Sequence, residues 1–227
     1  MKNIVVIGTS RGIGKELVSI LSENNSVLAL SRNIDKLNVF NTNKNVTIAK
    51  FDVSADSAKD DLTKLIKKTF NSVDVLINNA GVLVNKSILE LTKEDIEISY
   101  KTNVFGLIQA CQATIPFMEK QGGHIVNIGS MGGFQGSSKF PGLSVYSSSK
   151  AAVASFTECL AEELKETKIK VNCLALGAAQ TEMLEEAFPG YEAPLSANEM
   201  AQFITDFSLN SSKWINGKVL PISVSTP

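Results

Sequence analysis

Seven short runs of β-branched and aliphatic residues recur along the chain: NIVVIG (3–8), SVLALS (26–31), VTIAKF (46–51), VDVLIN (73–78), HIVNIG (124–129), IKVNCLAL (169–176) and GKVLPI (217–222). Between them lie stretches of helical period, among them GKELVSILSEN, AKDDLTKLIKKTF, KEDIEISYKTNVFGLIQACQATIPFMEK and YSSSKAAVASFTECLAEELKET. A sheet with one wet face needs strands that alternate apolar and polar residues. These runs are nearly continuously apolar, which a parallel sheet covered by helices on both faces requires. The expected class is therefore α/β. Thr92 with Asp95 and Ser196 with Glu199 form capping-box signatures at two helix starts. No linker or low-complexity run interrupts the alternation, so residues 1–227 are expected to form one domain.

Composition narrows the function. The 227 residues are 44% apolar and 20% charged, with a formal net charge of -1. That balance offers neither a basic field for nucleic acid nor a polybasic membrane patch, and it favours a small-molecule or protein partner. Cys111, Cys159 and Cys173 are too few and too widely spaced for a disulfide framework or a zinc motif, and they read as reduced core residues; no metal site is expected. The start MKNIVVIG enters an apolar run directly, and no stretch reaches the roughly 18 apolar residues of a membrane span. A cytoplasmic location is expected.

Two irregular stretches, 131–144 and 177–195, follow strands at the end where ligands of open α/β sheets bind, which marks them as candidate substrate loops. The turn GTSRGIGKE (8–16) joins the first strand to the first helix, so its N–H groups and the helix dipole suit a phosphate. Its glycines at 8, 12 and 14 miss the G-x-G-x-x-G spacing. A P-loop would need glycine at Thr9 and a hydroxyl at Glu16. Gly8-Thr9-Ser10-Arg11-Gly12 does match the nucleophile elbow G-x-S-x-G. An elbow, however, needs an oxyanion loop from an earlier strand and a histidine from a late loop, whereas His124 stands at the start of a strand run. The spacing that fits is G-x-x-x-G-x-G.

Further motifs follow in order: NNAG (78–81) closing the fourth strand run, Asn103 and Gly106 inside the long helical stretch, Ser130 after HIVNIG, and Tyr146 with Lys150. Asn and Gly are poor interior helix residues, and their pairing suggests a kink. Tyr100 and Tyr191 have Val104 and Leu195 four residues on, so Tyr146 alone has a lysine there. With this set the chain closely resembles the short-chain dehydrogenase/reductase family over essentially its whole length.

The resemblance implies a doubly wound (Rossmann) sheet of seven strands in the order 3-2-1-4-5-6-7. It implies a catalytic tetrad of Asn103, Ser130, Tyr146 and Lys150. It assigns the nicotinamide cofactor to Gly8, Ser10, Arg11, Gly12, Ile13 and Gly14 of the turn, to Ser31 and Arg32, to Asp52 and Val53, to Asn79, Ala80 and Gly81, to Tyr146 and Lys150, and to Gly177 and Thr181. The expected activity is hydride transfer between a nicotinamide and a carbonyl or secondary alcohol. Tyr146 is then the acid or base, Ser130 holds the substrate oxygen, Lys150 serves the ribose, and Asn103 stands behind it in a water relay. A phenol of pKa about 10 acts as base near neutrality only if its anion is stabilised, and Lys150 one turn along, with the oxidised nicotinamide as a second positive charge, is expected to do so.

The second strand ends in Ser31-Arg32 with no acid, and a guanidinium suits a 2′-phosphate, with Arg11 close enough to help. NADP is expected ahead of NAD. Leu176-Gly177 stands where family members usually show Pro-Gly, the segment after Thr181 is short, and NGKVLPISVSTP lacks the family's closing glycine pair. Phe134, Phe140 and Leu143 are candidates for an apolar substrate pocket. Small residues in SKAAVASFTECLA suit close helix approach, hence a homodimer or homotetramer. The departures also motivate an alternative, a catalytically weak dinucleotide-binding sensor or scaffold on the same fold.

Overall fold

The computed structural model describes residues 1–224, and the last three residues of NGKVLPISVSTP lie outside the described residues. The strands are β1 (Asn3–Ile7), β2 (Ser26–Ser31), β3 (Val46–Lys50), β4 (Val75–Asn78), β5 (Gly123–Ile128), β6 (Ile169–Leu176) and β7 (Val219–Ile222). They form one sheet in the order β3-β2-β1-β4-β5-β6-β7, every pair parallel. Each apolar run of the sequence contains one strand, and the expected order is the observed one.

The near-continuous apolarity has a direct structural reading in β1. Val5 and Ile7 join a core with Leu62, Ile66, Leu107 and Val153. Ile4 and Val6, on the opposite face, join a second core with Leu17, Leu21, Ile204 and Phe207. Helices α1 (Gly12–Leu21) and α7 (Ala197–Asn210) thus cover one face. Helices α2 (Ala58–Thr69), α4 (Gly106–Thr114) and α5 (Ser144–Glu163) cover the other. Between them, α3 (Lys93–Tyr100) and α7 both begin with complete capping boxes, at Thr92 and Ser196.

The long helical stretch 93–120 is not one helix. After α3 the chain makes a π turn over Lys101–Phe105 before α4, and Ile115–Phe117 closes it as a 3-10 turn containing Pro116. Gly106 shows why the kink sits there: a Cβ on it would stand 2.2 Å from the Val53 carbonyl oxygen, so α4 begins in backbone contact with the chain leaving β3. The wider turn swings Asn103 inward, where it is buried.

His124 is the second residue of β5, paired with Val75 and Lys170. It is buried, with Nδ1 3.0 Å from the Ser208 carbonyl oxygen and Nε2 3.0 Å from Asn172 Nδ2. Burial lowers its pKa to about 4, the Ser208 contact opposing and Lys2 assisting. The unfolded value is near 6.5, so the unfolded chain binds more protons between these limits and stability falls as pH drops through them. The imidazole alone is expected to cost about 2 kcal/mol between pH 7 and pH 5. Melting curves at both pH values should show that loss shrinking in His124→Gln; an undiminished loss would assign it elsewhere. The ring lies at the strand start, away from the glycine turn, which removes the hydrolase reading.

Cys111 and Cys173 are buried as expected, but Cys159 is exposed on the outer side of α5 beside Glu158 and Glu162, a correction to its reading as a core residue. Among the described residues no helix is long and apolar enough to cross a membrane.

Candidate active site

The glycine turn is built by backbone contact. Gly8 and Thr9 both donate to the Leu30 carbonyl at the end of β2, at 2.8 and 3.2 Å, and Asn79 Nδ2 donates to the Gly8 carbonyl at 2.7 Å. A Cβ on Gly8 would lie 2.6 Å from Ala80 Cα, and one on Gly14 would lie 1.9 Å from the Gly8 oxygen. Gly8 also has φ +88°, a conformation glycine adopts freely. The turn is therefore wedged between β2 and the NNAG segment. Helix α1 starts behind it with no side-chain cap and no acid in its first turn, leaving amide donors for an anion.

At the ends of β2 and β3, Ser31 is buried and Arg32 exposed. Asp52 accepts from the Ser54 amide at 3.0 Å and hydroxyl at 2.7 Å. Burial works against its carboxylate, but these two donors and the Arg32 charge outweigh it, so its pKa is lowered and it stays an anion.

Ser130 follows β5 and caps the 3-10 turn Met131–Gly133, accepting from the Gly132 amide at 3.2 Å. A Cβ on Gly133 would lie 2.5 Å from the Lys150 carbonyl carbon, so this turn rests on the α5 backbone and brings Ser130 beside Tyr146. Lys150 is 4% exposed, and its Nζ donates to the Ile128 carbonyl at 2.8 Å. Burial lowers it to about 8, with Cys173 pulling weakly the other way. Tyr146 is half-buried, its surface turned to the cavity. Burial raises its pKa, and the Ser130 hydroxyl offsets part of the rise. The Lys150 ammonium is aimed at the Ile128 carbonyl, and in the protein alone burial is the largest influence on the phenol.

Asn103 behaves as a bolt. Its Oδ1 accepts from the Val82 amide at 2.9 Å, and its Nδ2 donates to the Val82 carbonyl at 3.0 Å and to Ser149 Oγ at 2.9 Å. The side chain joins the π turn, the chain after NNAG and α5. It does not line the cavity but sits behind Gly81, whose added Cβ would be 3.5 Å from both Asn103 Oδ1 and Lys150 Nζ.

All the other residues singled out for cofactor or catalysis line one cavity of about 580 Å³: Gly8, Ser10, Arg11, Gly12, Ile13, Gly14, Ser31, Arg32, Asp52, Val53, Asn79, Ala80, Gly81, Ser130, Tyr146, Lys150, Gly177 and Thr181. Phe140 and Leu143 line it too. Phe134 does not; it ends the 3-10 turn, its carbonyl held by Ser137 and Lys139. Sequence reasoning missed Thr102, whose buried hydroxyl has no partner and which lines the cavity, although Asn103 beside it was the available signal. It also missed Glu182, Met183, Leu184, Phe188 and Tyr191, all in the stretch marked as a substrate loop.

That stretch folds over the glycine turn. Thr181 caps the short helix α6 (Glu182–Ala187) and packs on Gly12, whose added Cβ would be 3.2 Å from Thr181 Cγ2. Arg11 forks onto Glu186, with Nη2 to Oε2 at 2.8 Å, so its guanidinium already has a carboxylate partner across the cleft mouth. Leu176 is the last residue of β6, paired with Ile222, and the Gly177 amide donates to the Ile222 carbonyl at 2.7 Å. The sheet edge thus reaches the cavity without the expected proline.

A doubly wound sheet with a bare helix start and a Ser-Tyr-Lys cluster in one cleft defines a dinucleotide-fold protein of oxidoreductase type. Residues 2–192 match the family model for short chain dehydrogenase, and the chain belongs to that family. An uncharacterized oxidoreductase of Staphylococcus aureus is 30% identical over 220 residues, covering 95% of this chain and 94% of that protein. One from Staphylococcus epidermidis is 30% identical over 219 residues, with the same coverage. Among solved structures, ElxO with NADP bound superposes with a TM-score of 0.85 at 28% identity, over 98% of this chain and 97% of that one. A Brucella melitensis 3-ketoacyl-(acyl-carrier-protein) reductase complexed with NADH, at 22% identity, TM-score 0.86, and 97% and 96% coverage, shares the fold.

Proposed function

We propose that this oxidoreductase uses NADP(H) to interconvert a carbonyl compound and its secondary alcohol, with Tyr146 moving the proton. The observation that carries the reading is the convergence of the glycine turn, Ser130, Tyr146 and Lys150 on one cavity. The residues present suit a dinucleotide: a helix start without a cap, a buried Thr102 hydroxyl without a partner on a residue of the cavity wall, and a cleft running from Arg32 and Asp52 to Tyr146. The bound cofactor would supply the hydride.

In reduction, Ser130 holds the substrate oxygen and Tyr146 delivers the proton that the nascent alkoxide needs. A phenol kept protonated by burial is the form this direction calls for. Lys150 positions the ribose and replenishes the phenol's proton supply, and Asn103 fixes the geometry behind it. Arg32, after a strand with no terminal acid, would hold the 2′-phosphate of NADP, with Ser10, Ser31 and Val53 also lining the cavity; NADP is favoured, with NAD as the lesser cofactor. ElxO, which binds NADP, supports this choice by analogy. Residues 1–227 act as a single domain. Exposed Phe105, Ala151 and Ser155 on the outer side of the kinked helix and α5 make these helices our choice for a homodimer or homotetramer contact.

The test is NADPH oxidation against a panel of ketones and aldehydes, followed by fluorescence titration of NADPH and NADH. Arg32→Ala should weaken NADPH by about 10-fold or more, the scale of one charge-assisted contact, while NADH changes little. Equal losses would reject the phosphate role, and silence across the panel would reject the reductase.

A further inference from the structure

Resting on the reductase reading, we propose that the substrate is a neutral, largely apolar carbonyl compound and that anionic substrates are excluded. Beyond Tyr146 the cavity is walled by Phe140, Leu143, Met183, Leu184, Phe188 and Tyr191. Phe140 and Tyr191 are 52% and 49% exposed, so two large rings stand at this wall with apolar surface still open to water. An apolar ligand removes that surface from water; a charged one loses hydration there and gains nothing in return.

The charges on the cavity wall reinforce the assignment. Among the described residues its cations are Arg11, Arg32 and Lys150. Arg11 is forked onto Glu186, Arg32 stands at the far end beside Asp52, and Lys150 donates to the Ile128 carbonyl. The segment that carries Met183, Leu184, Phe188 and Tyr191 brings an acid to the wall, Glu182, and no base. A carboxylate or phosphate on the substrate would therefore find an apolar surface and a like charge.

The two apolar walls are also tied to one another. Asn85 Nδ2 donates to the Ala187 carbonyl at 2.9 Å, and the adjacent Lys86 amide donates to the Gly142 carbonyl at 3.0 Å. Gly142 has φ +81°, where any other residue would be strained, and a Cβ there would displace the Asn85 amide, whose Oδ1 would lie 2.0 Å away. The loop bearing Phe140 and Leu143 and the segment bearing Met183 to Tyr191 thus share one anchor, which fixes the slot before a substrate arrives.

The experiment uses a matched pair, para-methylacetophenone and para-acetylbenzoate, titrated into the NADPH-loaded protein and read by NADPH fluorescence, with steady-state rates measured in parallel. The neutral ketone is expected to bind on the order of 30-fold more tightly than the anion. Leu184→Lys, which puts a cation on the wall, should move that ratio toward the anion by about 5-fold or more. Equal or tighter binding of the anion by the native protein overturns the proposal, as does an unmoved ratio in a folded Leu184→Lys or failure of both ligands to bind. Selective binding of the neutral ketone with no NADPH oxidation would support the pocket assignment and defeat the reductase reading. Turnover of the anion as fast as the ketone would do the opposite.

Discussion

Tyr146→Phe is expected to lower kcat by about 10²–10⁴-fold, the range that general acid–base catalysis contributes, while NADPH affinity stays within about 2-fold. The variant keeps the ring, its packing against the turn after β5 and the whole glycine-turn half of the cavity. It removes the oxygen beside Ser130 and nothing else. Burial holds the phenol above its ordinary value, so at neutral pH the native group rests in the protonated form that reduction calls for and must first lose that proton to serve as a base. Reduction at neutral pH should therefore be fast relative to alcohol oxidation, and the oxidative rate should climb with pH as the phenolate becomes accessible. A variant with native turnover would show that the proton comes from elsewhere and would end the assignment of Tyr146. Lost turnover together with lost NADPH binding would point instead to collapse of the cleft.

Gly14→Ala should be strongly destabilising. The added carbon would sit 1.9 Å from the Gly8 carbonyl oxygen and 2.6 Å from Asn79 Nδ2. Neither neighbour is the loose end of a long side chain. The Gly8 carbonyl belongs to a turn held by Leu30 on one side and by Asn79 on the other, so α1 itself must back away from the sheet. Overpacking of this kind costs about 3 kcal/mol or more, which in a protein of this size lowers Tm by roughly 6–12 °C. The displaced helix start would also lose its aim at a diphosphate, so cofactor affinity should fall with stability. Thermal melts with and without NADPH separate the two effects. An unshifted melt would mean that the turn is looser than its contacts indicate.

Much of this architecture could be read from residue order because the constraints are local or repetitive. A parallel strand buried on both faces has to be apolar at successive positions, which is why Ile4, Val5, Val6 and Ile7 all enter one core or the other and why seven such runs gave seven strands. The cleft was legible for a related reason: its residues sit where strands end and helices start, positions that sequence spacing locates well. The π turn at Lys101–Phe105 was visible only as an awkward Asn and Gly. Its cause, the approach of Gly106 to the Val53 carbonyl, is a contact between distant segments. Likewise nothing in the glycine turn announces the partner of Arg11, Glu186, which lies 175 residues further on. Phe134 and Phe140 are equivalent in composition terms, and only the path of the loop decides that Phe140 meets the cavity.

Strand β5 has His124 near one end, and Ser130 follows its other end six residues later, a span of roughly 20 Å at about 3.3 Å per residue. The imidazole expected to weaken the fold in acid and the serine proposed to hold the substrate oxygen therefore lie at opposite poles of a single rod. An engineer seeking a form that survives sour conditions can rebuild the lower pole around Asn172 and Ser208 and leave the reaction profile as it was, because no side chain is shared between the two neighbourhoods.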